Sequence, residues 1–305
     1  MTGPAVVVRA YAKINLDLRV AHVRPDGYHD LRTVFQTIGL HDTLTCEPCV
    51  GPLRLASNLA GLPLDGSNLV WRAAEALWRA SGRRGGPAGV RIRLRKRIPV
   101  AGGLGGGSAD AAATLRALSQ MWRAALSPER VTEVAASLGA DVPFFLSGGT
   151  ALGLGRGDEI YPLVDLAPLW LVLLVPSFGV SSAEAFRWYD AAHTGGRLPA
   201  PPGPARLPGI HGDGECRLVN ALEAPVAARH PPIRRMTRAL VRAGAEAAAM
   251  SGSGSTVFGL FRTRTAAVRA GAALAGRGWQ VLVTRTLNRA AWTRGARPVA
   301  RRAPR

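Results

Sequence analysis

Lysine, cysteine and long apolar runs are all scarce in this 305-residue sequence. The three cysteines, Cys46, Cys49 and Cys216, do not make a disulfide framework, and no second Cys or His pair completes a metal knuckle. The longest apolar run, residues 167–176, is too short to cross a bilayer. The N-terminus lacks a basic stretch followed by an apolar one, so no secretory signal is visible. We therefore expect structural cysteines and a cytoplasmic protein without a membrane anchor.

Acidic residues are few as well. Twenty Asp and Glu stand against 39 Lys and Arg, which gives a formal net charge of +19. Such a charge permits binding to nucleic acid. The basic residues are spread among many Ala, Gly and Pro, however, which indicates a compositional bias rather than a binding face. We interpret residues 293–305 as a solvated, disordered basic tail, with a polyanion-binding tail as the alternative, and expect no specific nucleic-acid partner.

Only two of the basic residues are lysines, Lys13 and Lys96. Where arginine is the default base, a retained lysine suggests a position that needs a compact ammonium group, although drift could also leave two lysines anywhere. Neither lysine follows a glycine, which excludes a Walker A loop. The dinucleotide-binding fingerprint is also excluded, because Ser108 stands where its third glycine should be.

The most informative stretch is the glycine-rich run within residues 98–115. Alternating residues over 89–94 predict a half-buried strand before it, and an Ala- and Leu-rich segment over 109–121 predicts a helix after it. A loop without Cβ atoms lets backbone N–H groups converge, and the helix N-terminus adds partial positive charge. The pattern predicts a phosphate site, with a flexible glycine turn as the alternative.

The rest of the chain predicts alternating strands and helices. We expect strands over 5–8, 10–18, 33–40, 43–50, 169–175, 247–250, 256–261 and 279–283. Ser67 is the predicted cap of a helix ending near Gly82, and Ser127-Pro128-Glu129 predicts the start of another. Further helices are expected over 232–243 and 265–276, and residues 193–214 are interpreted as a loose Pro- and Gly-rich insertion.

Pro99 is followed at the proper spacing by Gly103-Leu104, small residues and a helix. This pattern resembles the phosphate loop of the GHMP kinases, the group that contains galactokinase, homoserine kinase and mevalonate kinase. Within that superfamily, residues 99–110 are most similar to the 4-diphosphocytidyl-2-C-methyl-D-erythritol kinases. Other segments resemble family motifs in the same order: the Lys13 strand, Asp26-Gly27-Tyr28-His29, Gly139-Ala140-Asp141-Val142-Pro143, Asn220-Ala221-Leu222-Glu223 and the glycine turn at 250–256.

The resemblance implies a set of site residues. Lys13 would lie at the transferring phosphate, and Asp141 would be the catalytic base. The implied ATP contacts are Lys96, Pro99, Val100, Ala101, Gly102, Gly103, Leu104, Gly105, Gly106, Gly107, Ser108 and Ala109, with Asn68 as a weaker candidate. The implied contacts to the cytidylated substrate are Asn15, Tyr28, His29, Ser182 and Phe186.

Simpler interpretations stay open for several of these residues. Asp141 precedes a proline and an apolar run, which is also typical of a helix cap. Lys96 lies among arginines and is equally consistent with a surface position. Tyr28 and His29 could merely pack over their turn. Ser108 is the nearest hydroxyl for a magnesium ion, because Gly106 and Gly107 replace the two serines of the galactokinase-type loop, and the metal ligands stay unassigned.

The resemblance also implies a fold and a reaction. The fold is α+β with two domains: residues 1–163 resemble the second domain of ribosomal protein S5 and bind ATP, and residues 164–292 are ferredoxin-like. The implied reaction transfers the γ-phosphoryl group of ATP to the C2 hydroxyl of 4-diphosphocytidyl-2-C-methyl-D-erythritol, in the non-mevalonate route to isoprenoids. ATP and Mg²⁺ are the expected cofactors. Another small-molecule kinase of the superfamily and a basic polyanion-binding protein are the alternatives.

Overall fold

The N-terminal half of the molecule is built on a long mixed sheet backed by helices. The computed structural model describes residues 3–193 and 217–301. The elements of this half are β1 (Ala5–Val23), β2 (His29–Pro52), β3 (Arg54–Ser57), α1 (Leu69–Ala80), β4 (Ala88–Arg95), α2 (Gly106–Trp122), α3 (Pro128–Leu138), α4 (Phe144–Ser147), β5 (Thr150–Leu154) and β6 (Glu159–Pro162). The main strand order is β3-β4-β2-β1, and β5 and β6 extend the sheet beside the first part of β2.

The C-terminal half forms a second sheet. Its elements are β7 (Trp170–Pro176), α5 (Ser182–Ala192), β8 (Val219–Asn220), α6 (Glu223–Arg229), α7 (Pro232–Arg242), β9 (Ala247–Met250), β10 (Val257–Phe261), α8 (Arg264–Leu274), β11 (Trp279–Arg285), α9 (Arg289–Ala296) and β12 (Val299–Arg301). The four antiparallel strands have the order β11-β7-β10-β9, which is the ferredoxin-like arrangement that the resemblance implied.

The two halves share strands and a core. Strands β8 and β12 leave the C-terminal half and pair with β1 in the first sheet. A buried apolar cluster joins β1 and the glycine loop to β7 and β10; it includes Ile14, Leu104, Leu173 and Phe258. This cluster places the glycine loop at the junction of the sheets. The division predicted at residue 163 falls between β6 and β7 and stays a prediction.

The first two strands are longer than the sequence indicated. Residues 5–23 form one strand rather than two, and residues 29–52 form another, because register irregularities bend the pairing without ending it. One irregularity lies between Tyr11 and Lys13. The polar face of Lys13, Asn15 and Asp17 is buried rather than solvated, with exposures of 4%, 2% and 3%.

Several predicted boundaries are corrected. The cap of α1 is Asn68, whose side chain accepts from Val70 N–H, whereas the Ser67 hydroxyl donates to Asp65. Helix α2 begins at Gly106, three residues earlier than predicted. Helix α3 begins as predicted, with Ser127 as its cap.

The predicted disordered tail is wrong over most of its length. Helix α9 continues to Ala296 and residues 299–301 pair with β1, because Trp292 and Ala296 bury an apolar face against Tyr11. Residues 302–305 lie outside the described residues, as do Cys216 and all but the first residue of the predicted insertion at 193–214. Across the described ranges, no helix has the length and apolar character needed to span a membrane.

Candidate active site

The glycine loop is locked against strand β1 and against the turn at 251–254. Lys13 N–H donates to the Leu104 carbonyl at 3.1 Å, which ties the loop to the strand. Gly103 has φ +72°, and a Cβ atom there would lie 2.0 Å from the Ser251 carbonyl oxygen. Only glycine fits this close approach. The Ser251 hydroxyl also donates to the Gly103 carbonyl at 3.0 Å.

The loop ends in an uncapped helix N-terminus. Gly105 is the N-cap of α2, adopts φ +67° and has no side chain that could accept from the first-turn amides. The Ser108 hydroxyl has no hydrogen-bond partner within the described part of the chain. Free N–H groups together with the positive end of the helix dipole attract an anion. The geometry at the start of α2 is therefore that of a phosphate cradle.

An ammonium and a carboxylate meet beside this cradle. Lys13 Nζ lies 3.3 Å from Asp141 Oδ2; the lysine side chain is 5% exposed and the aspartate side chain 34%. Lys13 Nζ also donates to Asn15 Oδ1 at 2.7 Å, and Asn15 Nδ2 donates to Thr33 Oγ1 at 2.7 Å. The Lys13 ammonium is therefore held in place by the buried Asn15 side chain, while the Asp141 carboxylate reaches solvent. Asp141 does not cap α4, whose N-cap is Pro143 without a side-chain bond.

A cleft of about 480 Å³ gathers these groups. It brings together most of the residues that the resemblance implied: Lys13, Asn15, Asn68, Lys96, residues 99–108, Asp141, Ser182 and Phe186. Volumes of this order are typical of small-molecule sites. The lining contains residues of both halves, so a ligand in the cleft would touch both.

Three implied residues lie outside the lining of the cleft. Ala109 is buried in the first turn of α2, where its N–H bonds to the Gly105 carbonyl. The Tyr28 side chain is 59% exposed and faces the Arg156 guanidinium, 5.4 Å from the ring centroid. His29 stacks on Phe186 with ring centroids 5.1 Å apart. His29 therefore supports a lining residue from behind, and Ala109 contributes to the helix.

Lys96 is not a surface residue: it lines the cleft, and its ammonium group pairs with two carboxyl groups. Its side chain is 6% exposed, and Nζ donates to Asp42 Oδ2 at 2.5 Å and to Asp110 Oδ2 at 2.7 Å. Asp42 Oδ1 accepts from the N–H groups of Arg97 and Ile98. This cluster connects β2, the end of β4 and helix α2. It fixes both ends of the glycine loop, and contact of Lys96 with ATP stays a prediction.

The pKa of the Asp110 carboxyl lies well above the ordinary value for an aspartate. Burial raises its pKa to about 8, with Lys96 opposing the rise and Asp42 adding to it. Its Oδ1 atom is buried without a hydrogen-bond partner among the residues that the structure describes. One lysine faces two carboxylates here, so a proton on Asp110 leaves the cluster electrically neutral near pH 7.

Replacement of Asp110 by Asn is expected to change how stability depends on pH. The folded-state pKa lies above the unfolded value, so between about pH 4 and pH 8 the folded wild type holds a proton that the unfolded chain has lost. Raising the pH across this range therefore destabilises the wild type relative to Asp110→Asn, by at most about 1.4 kcal/mol per pH unit. Urea unfolding at pH 5, 6, 7 and 8 measures the difference. Parallel profiles for both proteins would contradict it, and Glu133→Gln, at an exposed site, serves as the control.

The turn at 251–254 is held in place by the segment that resembles the family's Asn-Asp-Leu-Glu motif. Asn220 Nδ2 donates to the carbonyls of Met250 and Gly252, and Glu223 accepts from Met250 N–H. Burial raises the pKa of Glu223. Alanine at 221 in place of the family aspartate leaves these contacts intact. The motif positions the turn that closes over the glycine loop.

Several participants were not found in the sequence. Thr33, Phe35, Asp42, Asp110 and Ser253 line the cleft or support it. The Phe35 ring centroid lies 5.2 Å from Lys13 Nζ. Thr33 and Phe35 do alternate with Val34 on a predicted strand, which is the one signal that could have indicated a shared face.

Comparison with known proteins identifies the class. Residues 68–149 match the GHMP kinases N terminal domain and residues 211–279 match GHMP kinases C terminal. The fold resembles that of homoserine kinase from Cytophaga hutchinsonii, at 18% identity and a TM-score of 0.66 over 98% of this chain and 97% of that one. Together with the phosphate cradle and the Lys13–Asp141 pair, these matches define a kinase of the GHMP class.

Closer relatives specify the family. The 4-diphosphocytidyl-2-C-methyl-D-erythritol kinase of Pelotomaculum thermopropionicum is 46% identical over 93% of this chain and 98% of the relative. The enzyme of that name from Moorella thermoacetica is 44% identical over 91% and 98%. A crystal structure of 4-(cytidine 5'-diphospho)-2C-methyl-D-erythritol kinase is 36% identical with a TM-score of 0.78, covering 92% of this chain and 98% of that one. The chain belongs to the 4-diphosphocytidyl-2-C-methyl-D-erythritol kinase family.

Proposed function

We propose that this protein transfers the γ-phosphoryl group of ATP to the C2 hydroxyl of 4-diphosphocytidyl-2-C-methyl-D-erythritol, giving the 2-phosphate and ADP. The observation that carries the proposal is the 3.3 Å approach of Lys13 Nζ to Asp141 beside the uncapped start of α2. Family membership supports the choice of substrate.

Asp141 is the base in this mechanism. Its carboxylate accepts the hydroxyl proton while the C2 oxygen attacks the γ-phosphorus and the bond from phosphorus to the ADP oxygen breaks. The pKa of an alcohol far exceeds that of a carboxylic acid, so the proton moves late, together with the phosphoryl group. The exposure of the Asp141 side chain leaves room for the acceptor to approach it.

Lys13 stabilises the negative charge of the phosphoryl group while it is transferred. Its ammonium is held by Asn15 and has lost most of its contact with water. A fixed positive charge in a site of low polarity stabilises developing negative charge more than a mobile one in water does. The buried hydrogen-bond chain through Asn15 and Thr33 prepares this charge before the substrate arrives.

The residues present fit ATP with magnesium. The α2 N-terminus and the glycine backbone suit the phosphates, and the unpartnered Ser108 hydroxyl is the protein oxygen we assign to the ion. Magnesium keeps several waters and binds mainly through phosphate oxygens, so one protein ligand is compatible with it. No group of three or more His, Cys, Asp or Glu that could hold a metal occurs in residues 3–193 and 217–301. The ion, when bound, offsets charge on the β- and γ-phosphates.

The cytidine end of the substrate is assigned to the Phe186 side of the cleft. The Phe186 ring lines the cleft and is backed by His29, whose Nε2 lies 2.7 Å from Asp190 Oδ1. An aromatic face held in this way suits stacking against a base. Tyr28 lies outside the lining of the cleft but faces Arg156, which lines it, so a contact of Tyr28 with the cytidine end stays a prediction. A cytoplasmic location stays a prediction from the sequence.

A coupled ATP-consumption assay tests the function. We expect kcat/KM for the cytidylated methylerythritol to exceed that for homoserine or mevalonate by at least about 100-fold, because polar groups built to bind one substrate reject analogues that leave them unpaired. Comparable rates with homoserine or mevalonate would instead favour another small-molecule kinase of the class.

A further inference from the structure

A second cleft lies on a different face of the fold. It has a volume of about 470 Å³ and shares no lining residue with the catalytic cleft. Strands β1 and β2, the end of β11 and helix α9 form its walls. We call it the arginine cleft and define it by Arg9, Tyr11, His41, Arg285, Arg294 and Gly295.

The charge of the arginine cleft is unbalanced. Arg9, Arg285 and Arg294 line it, no carboxylate does, and none of the three has an ion-pair partner among the described residues. Three guanidinium groups around one concavity repel each other unless an anion joins them.

The floor of the arginine cleft adds polar atoms without partners. Tyr11 is 7% exposed, yet its Oη has no hydrogen-bond partner in the part of the chain that the structure describes. Gly295 allows this placement, because a Cβ there would lie 2.1 Å from Tyr11 Oη. His41 Nδ1 bonds to the Gly39 carbonyl at 2.9 Å, which leaves Nε2 available. The Tyr11 hydroxyl and His41 Nε2 are therefore available to a ligand in the cleft.

The pKa of His41 is lowered by burial and, in part, by the positive charge around the arginine cleft. Burial lowers its pKa, the charges of Arg9 and Arg97 lower it further, and the Gly39 carbonyl and Asp42 oppose the change. Asp42 itself is engaged by Lys96. An anion beside Arg9 would offset the repulsion and raise the pKa of His41.

We propose that the arginine cleft is a second ligand site, for a small molecule that carries a diphosphate group. Three guanidinium groups match the two to three negative charges of a diphosphate and can bind its oxygens in bidentate pairs. The cleft volume exceeds that of the diphosphate alone, and Leu287, Ala291 and the Tyr11 ring offer an apolar wall for an organic substituent. The concave shape between a strand and a helix favours a small ligand over a nucleic-acid strand.

Binding of inorganic pyrophosphate tests the proposal directly. Isothermal titration is carried out on the full chain with a saturating non-hydrolysable ATP analogue, so that the glycine loop is unavailable. We expect one pyrophosphate per chain in the arginine cleft; pyrophosphate that enters the acceptor part of the catalytic cleft would bind with an affinity that substitutions in the arginine cleft leave unchanged. Arg285→Ala and Arg294→Ala should each weaken the affinity about tenfold, and the double variant about 100-fold, as expected for lost charge-assisted hydrogen bonds.

Arg269→Ala is the matched control, because Arg269 is exposed on α8 and lines neither cleft. It should leave the affinity for pyrophosphate unchanged within about twofold, whereas equal weakening by all arginine variants would mean diffuse attraction and overturn the proposal. Absence of pyrophosphate binding in the wild type, or binding of a single-stranded oligonucleotide in its place, would also overturn it.

A measurement on the unmodified protein does not depend on the folding of variants. NMR titration should show the pKa of His41 rising when pyrophosphate is added to the protein with the ATP analogue bound. An unchanged pKa of His41 at saturating pyrophosphate would place the anion elsewhere and reject the arginine cleft.

Discussion

Asp141→Asn is expected to lower kcat by about 100-fold or more, the scale of losing a general base, while the affinity for both substrates stays within a few fold. The amide has nearly the size of the carboxylate but cannot take the hydroxyl proton. Lys13 keeps its bond to Asn15 at 2.7 Å, so the ammonium stays in position when its anionic neighbour is removed. Steady-state kinetics with the cytidylated substrate measure kcat, and equilibrium titration measures the affinities.

The control for this variant is Glu133→Gln, which removes an exposed carboxylate paired with Arg130 on α3, away from the cleft. Its kcat should equal that of the wild type. Turnover of Asp141→Asn near the wild-type level would reject the role of Asp141 as base. A loss of both turnover and unfolding cooperativity would instead indicate a structural role.

The sequence was sufficient to predict the groups that local motifs carry. The glycine run implied a phosphate loop before a helix, and the structure has Gly105 at φ +67° leading into the uncapped start of α2. Lys13 and Asp141 are 128 positions apart in the sequence, and only the resemblance indicated that both lie near this loop. In the structure their side chains are 3.3 Å apart. Their roles in the reaction stay predictions.

The role of Lys96 could not be predicted from its neighbours. Arginines flank it in the sequence, which indicated either a surface position or an ATP contact. Its actual partners are Asp110, on the following helix, and Asp42, in the middle of β2. Pairing of β2 with β4 brings Asp42 beside the end of β4. This strand register depends on tertiary structure and is not visible in the local sequence. Aspartate is rarely buried unless it is paired, so local patterns did not indicate that Asp42 and Asp110 would be buried around Lys96.

The basic C-terminal segment illustrates a second limit. Its basic charge predicted disorder for residues 293–305, and the prediction ignored the apolar Trp292, directly before the segment, and Ala296 within it. Trp292 packs against Gly148, where a Cβ would come within 2.1 Å of the indole, and its ring also lies beneath the Arg116 guanidinium at 4.6 Å. These contacts order α9 against the N-terminal half. The arginine of this segment that lines the arginine cleft, Arg294, is therefore held on a helix.

Lys13→Arg is expected to lower kcat by about 100- to 1,000-fold, although it conserves the charge. A guanidinium is larger and planar, and the space around Lys13 Nζ is closed: a Cβ on Gly252 would lie 3.2 Å from it, and the Phe35 ring centroid is 5.2 Å away. The larger group would have to push the glycine turn outward or turn away from Asp141. Lys13→Met, which fits the space without the charge, should lose at least as much activity.

The control for this prediction is the reverse substitution, from arginine to lysine, at an exposed position. In a chain whose basic residues are almost all arginine, the two lysines are both buried, with side chains 5% and 6% exposed. If compactness of the ammonium is what retains them, the reverse exchange Arg95→Lys at an exposed position of β4 should leave kcat unchanged. Thermal unfolding of each variant separates loss of activity from loss of fold. Wild-type turnover in Lys13→Arg would mean that charge alone is required at this position, and that the scarcity of lysine carries no information about the site.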